Sequence, residues 1–134
     1  MTQVIDASVV VAALVDSGPT GWWAETILAA GPLIAPHLLP VEVASVLRRS
    51  VNAALVSPDV AAIAHADLLD LAIELVPYGP AAQRVWELRE NLTTYDAWYV
   101  ATAELFDLPL ATLDQRVVRA SGPTCSFLTP PSGS

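Results

Sequence analysis

The sequence has 134 residues, enough for one domain with a hydrophobic core and too few for two ordinary domains. Hydrophobic residues make up 54%, and 14 acidic against 6 basic residues give a net charge of −8, which argues against a generic basic nucleic-acid binder. A single cysteine excludes a disulfide framework. No apolar run is long enough to span a bilayer and no signal-peptide pattern is present, so we expect a cytoplasmic protein without a membrane segment.

Short apolar runs predict five strands, and helical patterns predict the segments between them. The strands are expected at residues 4–5, 33–35, 73–76, 110–113 and 126–128. The helices are expected at residues 8–15, 22–30, about 43–51, 58–71, about 85–92, 94–106 and 114–119. Ser57-Pro58-Asp59 is a strong helix start, because it supplies a capping hydroxyl, a proline at the first helical position and an acidic first turn.

Two of these helices show apolar side chains at helical spacing, which predicts the faces that they bury. In the third helix the predicted stripe consists of Val43, Val46, Leu47 and Val51. In the fourth helix it consists of Val60, Ile63, Ala64, Leu68 and Leu71.

The alternation of strands and helices predicts an α/β fold with a parallel sheet and helices on both faces. Connections between the elements are short, so residues 1–128 are expected to form one domain. Residues 129–134 are rich in proline, serine and glycine and are expected to form a loose tail.

Four carboxylates are placed to meet at one edge of such a sheet. Asp6 and Asp114 each follow a predicted strand, and the carboxyl ends of parallel strands line the ligand crevice. Glu42 and Asp96 each precede by four residues a valine that should be buried, so they share its helix face. Because clustered carboxylates repel one another unless they are protonated or bind cations, a site for hard divalent ions is indicated.

Each of these acids also has a purely structural interpretation. Asp6 and Asp114 could cap the helices that follow them, and Thr93-x-x-Asp96 resembles a capping box. Glu42 could simply favour the positive end of its helix dipole. The functional interpretation rests on the convergence of all four.

Other catalytic equipment is sparse. His37 and His65 are expected on helices away from the strand ends, where a structural role is the better interpretation. Cys125 precedes the last predicted strand without a matched base, so an inert, buried thiol is expected. No glycine-rich phosphate loop of the Walker or Rossmann kind is present.

Four segments resemble the VapC group of PIN-domain ribonucleases. They are Val4-Ile5-Asp6-Ala7-Ser8, residues 36–42, Leu92-Thr93-Thr94-Tyr95-Asp96-Ala97 with Ala101-x-x-Glu104, and residues 108–116. The match covers nearly the whole chain. The Tyr-Asp-Ala segment and the Thr-x-Asp segment about 18 residues later form a specific pair when they occur with the opening Asp-x-Ser.

The resemblance implies a PIN-like three-layer fold with a five-stranded parallel sheet. It also implies an endoribonuclease toxin of a VapBC-type toxin-antitoxin system, which hydrolyses RNA phosphodiesters with Mg²⁺ or Mn²⁺ and is held silent by a cognate antitoxin. Carried over by position, Asp6 and Asp96 would be the main metal ligands, and Glu42 and Asp114 would complete the cluster. Ser8 and Thr112 resemble hydroxyls that support the ligands or the phosphate, although helix capping or strand-end hydrogen bonding would also explain them, Thr112 more readily than Ser8.

Arginines and tryptophans are the remaining candidates for contact with partners. Arg116 matches an arginine common in the family and could steady the substrate, whereas Arg49, on nearly the same helix face as Glu42, is more typical of a solvated surface residue. Trp22 and Trp23 cannot both point inward, so one of them is a candidate partner contact. The high apolar content further suggests a homodimer.

Two alternative functions stay open. A catalytically idle PIN-like interaction module would lack one or more of the four acids, and all four are present. A phosphoryl-transfer protein with magnesium and strand-end aspartates would rely on a lysine, and the sequence contains none. The sequence does not specify which RNA is cut, how many metals bind, which antitoxin binds, or the oligomer size beyond a dimer.

Overall fold

The structure, a computed structural model, describes residues 1–131. Five strands form one sheet: β1 Gln3–Ile5, β2 Leu33–Pro36, β3 Ile73–Val76, β4 Leu110–Ala111 and β5 Phe127–Leu128. Their order is β3-β2-β1-β4-β5, and every neighbouring pair is parallel. The predicted five-stranded parallel sheet is therefore confirmed.

Within residues 1–131, seven α-helices connect and flank these strands. They are α1 Ala7–Val15, α2 Pro19–Ala29, α3 Leu39–Asn52, α4 Pro58–Asp70, α5 Ala82–Glu87, α6 Thr94–Phe106 and α7 Gln115–Arg119, with a 3-10 turn at Gly79–Ala81 before α5. Helix α2 begins at Pro19, earlier than expected, because proline fits the first helical position. Strand β4 ends at Ala111, two residues earlier than expected.

After β3, new strands are added on the opposite side of β1, and this change in the order of strand addition gives the fold three layers. Successive strands first move outward from β1 to β3, and the chain then returns to β4 and β5 on the other side of β1. Because parallel crossovers are right-handed, helices before and after such a reversal lie on opposite faces. In agreement, α1 to α4 pack among themselves, while α5 and α6 pack together and α6 also contacts β1 and β2.

The core faces of α3 and α4 differ in how well the sequence predicts them. In α3, Val43 and Leu47 are buried as expected, and Val46 and Val51 are half-buried. In α4 the predicted stripe is partly wrong. Val60 and Ile63 are 46% and 63% exposed, and the buried residues are Ala61, Ala64 and Leu68. Alanines let α4 pack closely, so the small side chains rather than the larger ones face the core.

Three further features bear on the sequence predictions. His37 was expected on a helix, but it lies just after β2, where its backbone N–H donates to the carbonyl of Val76. Pro130 and Pro131 line a surface cavity beside Trp22 and Trp23, whereas residues 132–134 of the expected tail lie outside the described residues. No helix within residues 1–131 is long and apolar enough to cross a membrane.

Candidate active site

The candidate site lies at the carboxyl ends of β1 and β4, the two strands between which the strand order reverses. Such a reversal leaves a crevice, because the connections from the two strands leave in opposite directions. Asp6 follows β1 directly, and Thr112 and Asp114 follow β4. The fold thus brings together residues that are more than 100 positions apart in the chain.

Both carboxylate oxygens of Asp6 accept hydrogen bonds, one from residues of α1 and the other from the residue that follows β4. Its Oδ1 accepts from the Ser8 hydroxyl and, at 3.2 Å, from the backbone N–H of Val9 at the start of α1. Its Oδ2 accepts from the hydroxyl of Thr112, which is fully buried. Asp6 therefore does cap α1, and it also anchors the junction of β1 with β4.

Ser8 and Thr112 make matching pairs of hydrogen bonds. Each hydroxyl donates to Asp6, and each also accepts from a backbone N–H of the segment after β4. The Leu113 N–H donates to Ser8 Oγ at 3.1 Å, and the Asp114 N–H donates to Thr112 Oγ1 at 3.0 Å. The two hydroxyls thereby fix the backbone that carries Asp114 relative to Asp6.

Glu42 and Asp96 enter the same cleft from two helix N-termini. Glu42 lies in the first turn of α3 and Asp96 in the first turn of α6. The helix cap at α6 is Thr93, whose hydroxyl accepts from the Asp96 N–H at 3.1 Å. The Asp96 side chain lines the cleft, and a side-chain hydrogen bond with Thr93 lowers its pKa against the effect of burial.

The electrostatics of the four acids fall into two groups. Burial raises the pKa of Asp6 to about 6, although its hydrogen bonds with Ser8, Thr112 and Val9 act in the opposite direction. Burial also raises the pKa of both Glu42 and Asp96 above their ordinary values. The negative charge of Asp96 raises the pKa of Asp6 and the pKa of Glu42 further. Asp96 is therefore electrostatically coupled to both acids.

Asp114 behaves differently because it is paired with Arg116. The guanidinium donates to both carboxylate oxygens, at 3.2 Å from Nε to Oδ1 and 2.9 Å from Nη2 to Oδ2. This hydrogen-bonded pair lowers the pKa of Asp114 below its ordinary value. Asp114 also caps α7 by accepting from the Arg116 N–H at 2.9 Å. Arg116 itself is almost fully exposed at the rim of the cleft.

All four predicted acids line one open cleft of about 520 Å³. Ser8 and Arg116 also line it, and Thr112 lies buried behind Asp6. The four acids are spread along the cleft. Within residues 1–131, no group of three or more Asp, Glu, His or Cys side chains lies close enough together to hold a metal ion as they stand. Of the four predicted acids, three have a raised pKa and the fourth is paired with an arginine.

Tyr99 and Arg49 also line this cleft, and sequence analysis did not assign them to it. Tyr99 lies on α6 three residues after Asp96, and this spacing places both on one helix face. Arg49, expected to be a surface residue, is exposed but borders the cleft, where its charge lowers the pKa of Glu42 against the effect of burial. The seven-residue spacing from Glu42 was the available signal for Arg49.

The other candidate residues lie elsewhere. His65 is exposed on α4 and borders an apolar cavity between α3 and α4. Cys125 is half-buried, and burial raises its pKa to about 11, as expected for an unreactive thiol. Trp22 is 62% exposed, whereas Trp23 packs against the core, so one of the pair does point outward.

Comparison with known proteins identifies the family of this chain. The family model described as PIN domain matches residues 4–123. Ribonuclease VapC1 of Mycobacterium tuberculosis is 39% identical over 125 residues, which cover 92% of this chain and 94% of that protein. The similarity therefore extends through all four acid positions rather than through one motif.

Solved structures resemble the chain over almost its full length. PAE2754 from Pyrobaculum aerophilum superimposes with a TM-score of 0.72 at 21% identity, covering 95% of this chain and 83% of that one. VapBC-5 from Mycobacterium tuberculosis, described as a member of the VapBC family of toxin-antitoxin systems, gives a TM-score of 0.57 at 25% identity. The match with VapBC-5 covers 96% of both chains.

Proposed function

The chain belongs to the PIN-domain family and, within it, to the VapC ribonucleases, and on this premise we propose that its cleft hydrolyses RNA with the help of Mg²⁺ or Mn²⁺. The protein is an endoribonuclease and the toxin of a VapBC-type toxin-antitoxin system. The observation that carries the proposal is the convergence of Asp6, Glu42, Asp96 and Asp114 on one cleft.

The donor chemistry of the cleft suits a hard divalent cation. Its potential ligands are carboxylate oxygens, which Mg²⁺ and Mn²⁺ prefer. Asp6, Glu42 and Asp96 all have raised pKa values, so their negative charges are poorly compensated by the protein itself. A cation would supply the missing compensation. Asp6, Glu42 and Asp96 are therefore the residues that would hold it, with Asp114 completing the cluster.

The residues of the chain would divide the work of hydrolysis. A bound Mg²⁺ or Mn²⁺ supplies Lewis acidity, which activates water for attack on phosphorus and offsets charge on the phosphoryl group. Ser8 and Thr112 hold the Asp6 carboxylate in one orientation through hydrogen bonds to both of its oxygens. Because the carboxylate is already oriented, it need not reorganise when charge develops in the transition state.

Arg116 is the candidate contact for the RNA backbone. Its side chain is 87% exposed at the rim of the cleft, and its guanidinium is held in place by Asp114. A guanidinium can bind a phosphate through paired hydrogen bonds, and the sequence offers no lysine for this task.

The proposed partners are RNA, a cognate antitoxin and a second copy of the chain. VapBC-5 supports the antitoxin, because it is described as part of a toxin-antitoxin system. An antitoxin segment with an arginine or lysine would complement the acidic cleft. For the dimer, exposed apolar side chains such as Trp22 and Ile63 offer surface to cover. We propose the cytoplasm as the location, since RNA is the substrate.

Brief expression in a bacterial host, followed by sequencing of RNA ends, tests the function and identifies the substrate. New ends at a defined site should arise with the wild-type chain and not with Asp6→Asn. If both proteins give the same RNA ends, the proposed function is wrong. Light scattering of the purified protein tests the dimer, which a monomer at all concentrations would exclude.

A further inference from the structure

The hydroxyl of Tyr99 is an unpartnered polar group in a buried place. Tyr99 is only 3% exposed, and its hydroxyl oxygen has no hydrogen-bond partner of good geometry among residues 1–131. A buried hydroxyl without a partner costs free energy, so most buried polar groups in proteins are hydrogen-bonded. Tyr99 nevertheless keeps a phenol at a position where phenylalanine would fill the same space.

The surroundings of Tyr99 show which way this hydroxyl faces. The side chain lines the acidic cleft, where burial and then Glu42, Asp6 and Asp96 raise the pKa of the phenol far above its usual range. Of the three acids, Glu42 has the largest influence. The phenol in turn lowers the pKa of Glu42 against the effect of burial. The hydroxyl is therefore placed among the carboxylates of the cleft, within reach of Glu42.

The two side chains differ in how firmly they are held. The ring of Tyr99 is packed within the core, on the face of α6 that carries Asp96. Glu42 is half-buried in the first turn of α3, and its carboxyl interacts with the Tyr99 hydroxyl, although the two groups lie outside good hydrogen-bond geometry. A rigid donor beside a flexible acceptor can set the position of the acceptor, because the donor loses little conformational entropy.

We propose that Tyr99 is a positioning residue, whose hydroxyl donates a hydrogen bond to the Glu42 carboxylate and holds it in the cleft beside Asp96. The inference rests on the proposed function, since a positioned Glu42 matters for binding a divalent cation and for cleaving RNA. Tyr99 itself contacts neither the cation nor the substrate.

Tyr99→Phe separates this role from simple packing, because the substitution keeps the ring and removes only the oxygen. If the hydroxyl were idle, removing it would leave the melting temperature in chelator unchanged or raise it, and it would leave cation binding and cleavage intact. Tyr78→Phe is the matched control, since Tyr78 is a partly exposed tyrosine whose ring packs edge-on against Trp98, outside the cleft.

A double-mutant cycle on Tyr99→Phe and Glu42→Gln tests the inference. The readouts are the Mn²⁺ dissociation constant from calorimetry, kcat for RNA cleavage, and the melting temperature in chelator. We expect Tyr99→Phe to weaken Mn²⁺ binding several-fold and to lower kcat about tenfold, as for loss of a hydrogen bond to a charged group. In the Glu42→Gln background, Tyr99→Phe should change neither value further, and Tyr78→Phe should match the wild type.

Wild-type values for Tyr99→Phe, or an equal loss with and without the Glu42 carboxylate, would overturn the positioning role alone. In that case the wild type still binds Mn²⁺ and cleaves RNA. A wild-type protein that does neither would overturn the proposed function, and the inference with it.

Discussion

The hydroxyl of Thr112 donates a hydrogen bond to Asp6, joining the end of β4 to the end of β1. The same hydroxyl accepts from the backbone N–H of Asp114 at 3.0 Å. One buried oxygen thus links two of the four predicted acids of the site. Removing it would leave one carboxylate oxygen of Asp6 and one backbone N–H without these partners.

Thr112→Val should therefore impair both stability and activity while it keeps the shape of the side chain. We expect a loss of about 1–3 kcal/mol in the free energy of unfolding, as for buried groups that lose their partner, and slower RNA cleavage. Urea unfolding and cleavage assays measure the two effects. Thr102→Val is the control, because Thr102 is equally buried but bonds only the carbonyl of Trp98 within α6. Equal rates of RNA cleavage by Thr112→Val and Thr102→Val would contradict this role of the Thr112 hydroxyl.

The buried carboxyl of Asp6 should make stability depend on pH in the absence of divalent cations. Its pKa rises from 3.8 to about 6 in the folded protein, mainly through burial. The folded state therefore binds more protons than the unfolded state in this window, so stability falls as the pH rises through it. The full difference corresponds to about 3 kcal/mol above pH 6.

Urea unfolding in chelator between about pH 4 and pH 7 measures this effect of Asp6. Asp6→Asn should give a flatter profile across the same window, because the titrating group is gone. Glu42 and Asp96, whose pKa values are also raised, remain in both proteins, so the profile of Asp6→Asn should keep a slope of the same sign. Parallel profiles for the two proteins would contradict the assignment to Asp6.

Asp96 should destabilise the protein without a cation, because its charge raises the pKa of both Asp6 and Glu42. Asp96→Asn should therefore melt higher than the wild type in chelator near neutral pH, and it should lose cleavage. It should also gain less from magnesium, which at a hundred times its dissociation constant stabilises a folded protein by about 2.7 kcal/mol.

Thermal melts in chelator and in magnesium check this expectation, with Asp67→Asn as the control. Asp67 is an exposed acid on α4, outside the residues that line the cleft. If Asp96→Asn melts lower in chelator and keeps its magnesium response and its activity, Asp96 serves only the N-terminus of α6.

Arg49 should contribute to RNA binding rather than to the chemical step. It borders the cleft on the α3 side, while Arg116 borders it beside β4. Arg49→Gln should raise KM with little change in kcat, and the slope of log kcat/KM against log salt concentration should shrink by about one. Arg89→Gln is the control, because Arg89 stacks on Trp86 and does not line the cleft. Identical salt slopes for the two variants would show that Arg49 meets no phosphate.

Much of the fold was predictable because its signals are local. The strand runs and the acids that follow β1 and β4 determine which carboxylates meet, once the sheet is known to be parallel. The inner face of α4 was not predictable in full, because a helix that is apolar on several sides fits more than one stripe. Only tertiary packing selects Ala61 and Ala64 over Val60 and Ile63.

The details of the site depended on contacts across the chain that spacing does not reveal. The pairing with Arg116 lowers the pKa of Asp114, in contrast to the raised pKa values of the other three acids. The sequence alone does not indicate this difference in pKa. Tyr99 was hidden because a tyrosine in an apolar helix is usually a core residue. The role of its hydroxyl can be recognised only when the burial of Tyr99 and the position of Glu42 are known.

The most direct test of the central claim is the chemistry of the ends that the purified protein leaves on labelled RNA. With Mg²⁺ or Mn²⁺ we predict a 5′-phosphate and a 3′-hydroxyl, because water rather than the ribose hydroxyl attacks phosphorus. We predict no cleavage after exhaustive chelation. Cleavage that survives chelation, or products that end in a cyclic 2′,3′-phosphate, would contradict cation-dependent hydrolysis in this cleft.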